Sequence, residues 1–257
     1  MMKLITYVVS HKEYSFPESK HFVPLQVGTS VTSIAKDSVR DSTGENIAHL
    51  NPSFCELTAA YWIWKNVQEE VVGLAHYRRY FASSTSNLTV KGKRIASPEE
   101  MADMLKSADI LVAKPRNYFI TSIKSHYIHA HHESDYTQLR DEIVLQQPDY
   151  VADFDHVMGG TKISLYNMFV CKKSLIDEYF AWLFPLLFAL EQKIDYQNYD
   201  AYQKRVFGFM AERLFNVWLH HQRDRLTIKY MPVVNIDGEN LLLKGIGLLK
   251  RHFWGTK

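Results

Sequence analysis

Residues 71 to 81 read Val-Val-Gly-Leu-Ala-His-Tyr-Arg-Arg-Tyr-Phe, so an apolar run fit for the inside of a sheet delivers His76, Tyr77, Arg78 and Arg79 with no spacer. An arginine is almost never fully buried unless it is paired. An anion must therefore meet these residues, either an internal carboxylate such as Glu56 or a ligand. Two further apolar runs end in the same way, in Ser10-His11-Lys12 and in Lys114-Pro115-Arg116. Ligands of open α/β sheets bind beyond the carboxyl ends of the strands. A diphosphate is the anion that three convergent sets of cations would stabilise best.

Other residue types invite other chemistry. His126, His129, His131 and His132 have a spacing that can place two metal ligands on one helical face, yet no defined third ligand or supporting carboxylate accompanies them. A polar or phosphate-contacting helix is the competing reading. Transfer reactions need a base or a charge stabiliser, and the acidic candidates are Asp37, Asp41 and Glu45 in one long loop and Glu212 in a helical segment. Asp149, Asp153 and Asp155 lie in a looser stretch. By pattern alone Glu212 and Arg213 are also an ordinary helix ion pair. The sequence has no GxGxxG after its first strand, no GxxxxGK[ST] and no GxSxG, which removes dinucleotide, P-loop and nucleophile-elbow chemistry from consideration.

The elements that must position these groups follow from periodicity. Strands are expected at 3–10, 71–75, 109–114, 162–171 and 226–232, and helices at 54–66, from Ser97-Pro98, in patches over 121–147, and at 174–192 and 203–221. Residues 17–53 read as a long polar loop, and 82–97 as an exposed excursion with a hairpin. Strands alternating with helices predict an α/β fold with a mostly parallel central sheet flanked by helices. With 257 residues and no repeat or linker, one domain over residues 1–257 is expected.

Composition narrows the partners. A net charge of +2 gives no global basic field, so nucleic acid is not expected. Two cysteines, Cys55 and Cys171, far apart, exclude a disulfide scaffold and a cysteine zinc site and suit a reducing compartment. The amino-terminal apolar run is too short for a signal peptide, and no segment reaches the roughly 20 apolar residues of a span. A cytoplasmic protein is expected. The tail from Lys244 to Lys257 mixes Lys250 and Arg251 with Phe253 and Trp254. It suits either contact with an anionic inner leaflet or packing as a terminal helix.

Four motifs now stand in order: Asp41-Ser-Thr-Gly-Glu-Asn-Ile47, Asn51-Pro-Ser-Phe-Cys-Glu-Leu-Thr58, Tyr61-Trp-Ile-Trp-Lys-Asn66 and Gly73-Leu-Ala-His-Tyr-Arg-Arg-Tyr-Phe81. With His126-Tyr127, Tyr166-Asn-Met-Phe169 and Arg205-Val-Phe-Gly-Phe-Met-Ala-Glu-Arg213, they resemble bacterial capsular and exopolysaccharide-synthesis glycosyltransferases long catalogued as a domain of unknown function. The resemblance implies a GT-A-like fold and a UDP-sugar donor, galactose or galactofuranose by preference, with a lipid-linked glycan as acceptor. It implies diphosphate contacts from His76, Arg78 and Arg79, with the nucleotide against His11 and the loop carrying Glu45 and Asn46. Tyr77, His126 and Arg205 would also contact substrate. Glu212 is the first choice of catalytic carboxylate, with Asp41 next and Asn167 facing the sugar or acceptor. GT-A enzymes usually present an Asp-x-Asp pair to a divalent metal where this sequence has His76-Tyr77-Arg78, so no metal cofactor is expected. A non-catalytic nucleotide- or polysaccharide-binding module and a sugar phosphotransferase are the alternatives.

Overall fold

The computed structural model describes residues 3–28 and 32–238. The carboxyl-terminal tail considered above lies outside the described residues.

The first half contains strands β1 (Leu4–Ser10), β2 (Phe22–Gln26) and β3 (Val39–Arg40), helices α1 (Asn51–Phe54) and α2 (Leu57–Asn66), then β4 (Val71–His76), β5 (Arg79–Phe81) and the small hairpin β6 (Thr89–Val90) and β7 (Lys93–Arg94). Helix α3 (Pro98–Met104), β8 (Ile110–Ala113), β9 (Arg116–Asn117), α4 (Ile123–Ala130) and α5 (Glu133–Gln146) follow. The second half adds α6 (Val151–Gly159), β10 (Lys162–Ile163), β11 (Phe169–Lys172), α7 (Lys173–Glu191), α8 (Val206–His221), β12 (Ile228–Met231) and β13 (Val233–Asn235).

The main sheet has the order β12-β8-β11-β4-β1-β2-β3, with β5 paired to β4 and β13 to β5. Neighbours β1, β2, β3 and β4 run parallel, as do β8 and β12, while β11 runs antiparallel between β4 and β8. All seven residues of β1 are buried, as a strand covered on both faces requires. Ile5, Tyr7 and Val9 enter the core under α2, α7 and α8, and Leu4 and Val8 enter a second core with Ala75, Tyr80 and Met101. That alternation is the two-residue period of the pleat. The predicted α/β fold with a mostly parallel central sheet flanked by helices is what the chain adopts.

Several local expectations change. The polar stretch 17–53 contains β2 and β3, short strands that complete the sheet beyond β1. The segment holding Asp149, Asp153 and Asp155 is not loose, since α6 runs through it, with Phe154, Val157 and Met158 buried at helical spacing. The predicted strand 162–171 is two strands, separated where Tyr166 and Asn167 take positive φ. The predicted helix 54–66 breaks at Cys55, whose φ is 53°. Asn51 holds that break, donating from Nδ2 to the Cys55 carbonyl at 2.8 Å. Ser97 does cap α3 as its sequence suggests, its Oγ accepting from the Glu100 N–H at 3.2 Å.

Gly73 sits where β4 is flanked by β1 and β11. A Cβ there would stand 2.9 Å from Thr6 Oγ1 and from Val170 Cγ2, and 3.2 Å from the Phe169 carbonyl oxygen. We expect Gly73→Ala to lower unfolding stability by about 1–3 kcal/mol through overpacking. Urea denaturation with an unchanged m-value checks this, and a variant as stable as the parent would show that the strands separate freely at this point.

Candidate active site

The ends of β1 and β4 open into a cleft with two lobes. One, of about 500 Å³, is lined by His11, Tyr77, Arg78 and Lys204 among others. The other, of about 330 Å³, is lined by Arg116, Tyr118, His126, Tyr166, Tyr202 and Glu212 among others. Glu56, His76, Arg79 and Arg205 line both, so they form the junction. The cleft thus gathers residues from all three strand ends read from the sequence, His11, His76 to Arg79 and Arg116, while Lys12 and Lys114 line neither lobe.

Why the strand end is cationic can now be answered residue by residue. Arg78 reaches Asp237 at 3.6 Å, with both side chains more than two-fifths exposed, and its guanidinium lies 4.9 Å over the Tyr77 ring. Solvent weakens a pair of that kind. Arg79 makes no salt bridge among the described residues; its guanidinium lies 4.5 Å over the Tyr166 ring, and its Nε is buried without a partner. Neither arginine is hydrogen-bonded to Glu56, whose carboxylate instead accepts from Asn167 Nδ2 at 2.8 Å. Arg205 donates from Nε to Cys55 Sγ at 3.3 Å. The internal carboxylate that would have made these arginines a structural ion pair is engaged elsewhere.

The two imidazoles contribute position rather than charge. Burial pulls His76 down from 6.5 to about 4, so it is neutral at pH 7. Its Nε2 lies 2.6 Å from the Tyr166 carbonyl, which can only accept, so Nε2 carries the proton. Burial also lowers His11, and the neighbouring charges of Lys12, Arg78 and Arg205 add to that. His76 was expected to help neutralise a diphosphate; desolvation leaves its imidazole uncharged at pH 7.

Two carboxylates face this cationic junction. Glu212, on α8, accepts from the Tyr166 N–H at 2.8 Å and from Arg213 Nη1 at 3.1 Å. Arg213 is only 3% exposed and also donates to the Phe209 carbonyl. The helix ion pair that the pattern allowed does form, with Arg213 buried and Glu212 half-buried on the wall of the cleft. Burial raises the Glu212 carboxyl above its ordinary range, and the charge of Glu56 raises it further against the opposing pull of Arg213. Burial raises Glu56 as well, against the hydrogen bond from Asn167 and the charges of Arg205 and Arg79. The sequence had offered Glu56 only as a partner for arginine; nothing in Cys55-Glu56-Leu57 announces the backbone break that turns it into the cleft.

Not every expected residue is here. Asp41 is fully buried, lines neither lobe, and accepts from the Gly28 N–H at 3.2 Å, where it holds the turn after β2. Glu45 accepts from the Tyr61 hydroxyl at 2.9 Å and lies 3.4 Å from Lys65. Asn46 closes its own turn through Gly44 and Ala48. These three are structural ties of the 37–46 loop. Asn167 stands behind the cleft and reaches it through Glu56, while His126 stacks on Tyr118 at 4.2 Å in the second lobe.

The residues do not suit a divalent cation. The strand end after β4 offers the guanidinium groups of Arg78 and Arg79 rather than carboxylate oxygens, and like charge repels a divalent cation. Asp153 is held by His220, His221 and Arg223, and Asp155 by Arg140, both away from the cleft. His126, His129, His131 and His132 turn to Tyr118, the Ser125 carbonyl, Gln203 and Tyr199 respectively. Among the described residues no group of three or more His, Cys, Asp or Glu could hold a metal ion.

The model of the family described as "Domain of unknown function (DUF4422)" matches residues 5–223. The chain belongs to this family. Its fold is similar to a solved structure described as the apo form of the bifunctional glycosyltransferase WbbM, with a TM-score of 0.80 and 29% identity. The match covers 92% of this chain and 46% of that one, so the DUF4422 chain spans less than half the length of that protein. No curated protein matches the chain.

The lowered His76 has a consequence for stability. Between about pH 6.5 and about pH 4 the unfolded chain binds a proton that the folded chain refuses, so stability falls as pH drops through that window. His76→Gln keeps a side-chain N–H for Tyr166 and removes the titration. We expect its stability to fall less steeply than the parent's over the same interval, measured by denaturant melts along a pH series. Identical slopes would place the responsible proton on another group.

Proposed function

We propose that this chain is a glycosyltransferase that moves a sugar, galactose or galactofuranose by preference, from a UDP-sugar to a capsular, exopolysaccharide or O-antigen acceptor. The acceptor in this reading is lipid-linked, and the enzyme works in the cytoplasm at the inner face of the membrane. The observation that carries it is the junction of the two lobes. There Arg79 and Arg205, without a hydrogen-bonded carboxylate partner, stand beside two half-buried carboxylates of raised pKa. The similarity to a glycosyltransferase supports the same reading.

In this mechanism the donor diphosphate lies against Arg78, Arg79, Arg205 and Lys204 in the larger lobe. The glycosyl group sits at the junction, and the acceptor enters through the second lobe, with its aromatic walls. The bond between the anomeric carbon and the diphosphate oxygen breaks, and the electron pair leaves with UDP. Guanidinium groups aimed at that oxygen stabilise the charge as it develops, with little reorganisation. The acceptor hydroxyl forms the new bond to the anomeric carbon and gives its proton to a carboxylate. Glu212 is the first choice for that base, because a carboxyl raised by burial holds a proton more readily. Glu56 is the second. His76 and Asn167 position these groups through the Tyr166 carbonyl and the Glu56 carboxylate.

Release of UDP from UDP-galactose and UDP-galactofuranose, with and without a polysaccharide acceptor, tests the proposal. Acceptor-stimulated release supports it; tight UDP binding with no release from a panel of UDP-sugars would replace it with a binding module. We expect donor binding to persist in EDTA, measured as thermal stabilisation by UDP. Loss of that stabilisation in EDTA, restored by Mn²⁺, would overturn the metal-free reading.

Two substitutions separate binding from chemistry. Arg79→Ala should weaken UDP binding by about 1.5–3 kcal/mol, one charge-assisted contact, with the fold retained. Glu212→Gln keeps the acceptor oxygen for the Tyr166 N–H and removes the charge. It should leave UDP affinity within a few-fold and lower kcat by about a hundredfold or more. Unchanged turnover in Glu212→Gln, with a loss in Glu56→Gln, would move the base to Glu56.

A further inference from the structure

A second concave surface lies at the β12 edge of the sheet, away from the cleft. It is a groove of about 660 Å³ lined by Lys114, Asn117, Lys162, Arg223 and Tyr230 among others. Neither lysine ammonium makes a salt bridge among the described residues, and both side chains are exposed. Asp153, the carboxylate beside Arg223, already pairs with Arg223 and lies within hydrogen-bond distance of His220 and His221. The groove is therefore cationic.

An apolar tip stands at its rim. Asn117 belongs to β9, pairs in register with Lys162 of β10, and accepts at Oδ1 from the Phe119 N–H at 2.8 Å. The chain then turns tightly, with the Ile120 N–H donating to the Tyr118 carbonyl at 2.7 Å. Phe119 takes a φ of 57°, a region that a bulky side chain rarely adopts. No burial offsets this, because Phe119 is 79% and Ile120 52% exposed. Tyr230, in the groove, is another of the few large hydrophobics that the described surface exposes. A strained turn that lifts two apolar side chains into water beside two unpaired lysines fits one environment well. Acyl chains would receive Phe119 and Ile120, headgroup phosphates would meet Lys114 and Lys162, and the Tyr230 ring would sit at the level between them.

We propose that the Phe119–Ile120 turn and the Lys114/Lys162 groove form a docking surface for an anionic phospholipid bilayer. The other exposed apolar pair, Val144 and Leu145, shares its patch with exposed Asp141 and with one lysine, Lys193, which already pairs with Glu142, so that patch offers anionic lipid no unpaired cation. The turn begins at Tyr118, which lines the second lobe of the cleft, so docking holds that lobe next to the lipid surface. Nothing in this proposal requires the transferase reading; it rests on the charge and exposure of the surface.

The test is flotation of the full chain with vesicles of phosphatidylcholine alone and with about one-third phosphatidylglycerol. The chain should float with the anionic vesicles and not with the neutral ones. Phe119→Ser/Ile120→Ser and Lys114→Ala/Lys162→Ala should each reduce the bound fraction at least about tenfold, with unchanged thermal melting and UDP affinity. Absence of flotation with anionic vesicles would overturn the proposal. So would flotation that both double variants leave intact, which would assign the contact to another part of the chain. Equal flotation with neutral vesicles would overturn the role of the lysines.

Discussion

The hydrogen bond from His76 Nε2 to the Tyr166 carbonyl joins the end of β4 to the turn before β11, and the site depends on it. The same turn sends the Tyr166 N–H to Glu212 and the Asn167 amide to Glu56. Two adjacent residues thereby fix one imidazole and two carboxylates that come from β4, the break between α1 and α2, and α8. Both residues hold positive φ, which is costly for side chains other than glycine. The antiparallel entry of β11 between β4 and β8 makes this reachable, because it brings the start of β11 to the carboxyl ends of its parallel neighbours. In a wholly parallel sheet that turn would lie at the opposite edge.

Strain and burial concentrate at the same place. Of the five non-glycine residues of positive φ in the described chain, Cys55 and Tyr166 line the cleft and Asn167 bonds to one of its carboxylates. Such conformations persist only where surrounding structure over-determines them. Asn51 does so for Cys55, through its carbonyl and through Thr58. The electrostatic state is equally costly: two carboxylates raised by burial face guanidinium groups, with two imidazoles kept neutral.

The sequence made the sheet legible because β1, β4 and β8 are long apolar runs whose ends change character abruptly. It also made the cationic ends legible, since a buried arginine needs an explanation that an exposed one does not. What it hid was short or compensated. Strands β2 and β3 are five and two residues long, set in polar surroundings, and β3 is half-buried rather than buried. Helix α6 carries half-buried Asp153 and exposed Asp155 between apolar residues, which gives a weak helical signal next to Pro148. Asp41 and Glu45 looked catalytic because acids in a long loop invite that reading. Their partners, the Gly28 N–H and Tyr61, are distant in sequence and close only after folding.

Glu56 shows most clearly what one-dimensional reading lacks. Continuous helix from Phe54 to Asn66 would make Glu56 one more helical carboxylate, and an arginine partner the natural assumption. The φ of 53° at Cys55 instead ends α1, restarts the helix at Leu57 and places Glu56 on the wall of both lobes. Once there, it is claimed by Asn167, and the arginines keep donors that no protein carboxylate satisfies. A single backbone torsion thus moves Glu56 off a continuous helix and onto Asn167, while Arg78 pairs with Asp237 and Arg79 keeps a buried Nε without a partner. The chain bears the cost of that arrangement, a buried guanidinium nitrogen without a partner beside a backbone torsion that a side chain rarely adopts.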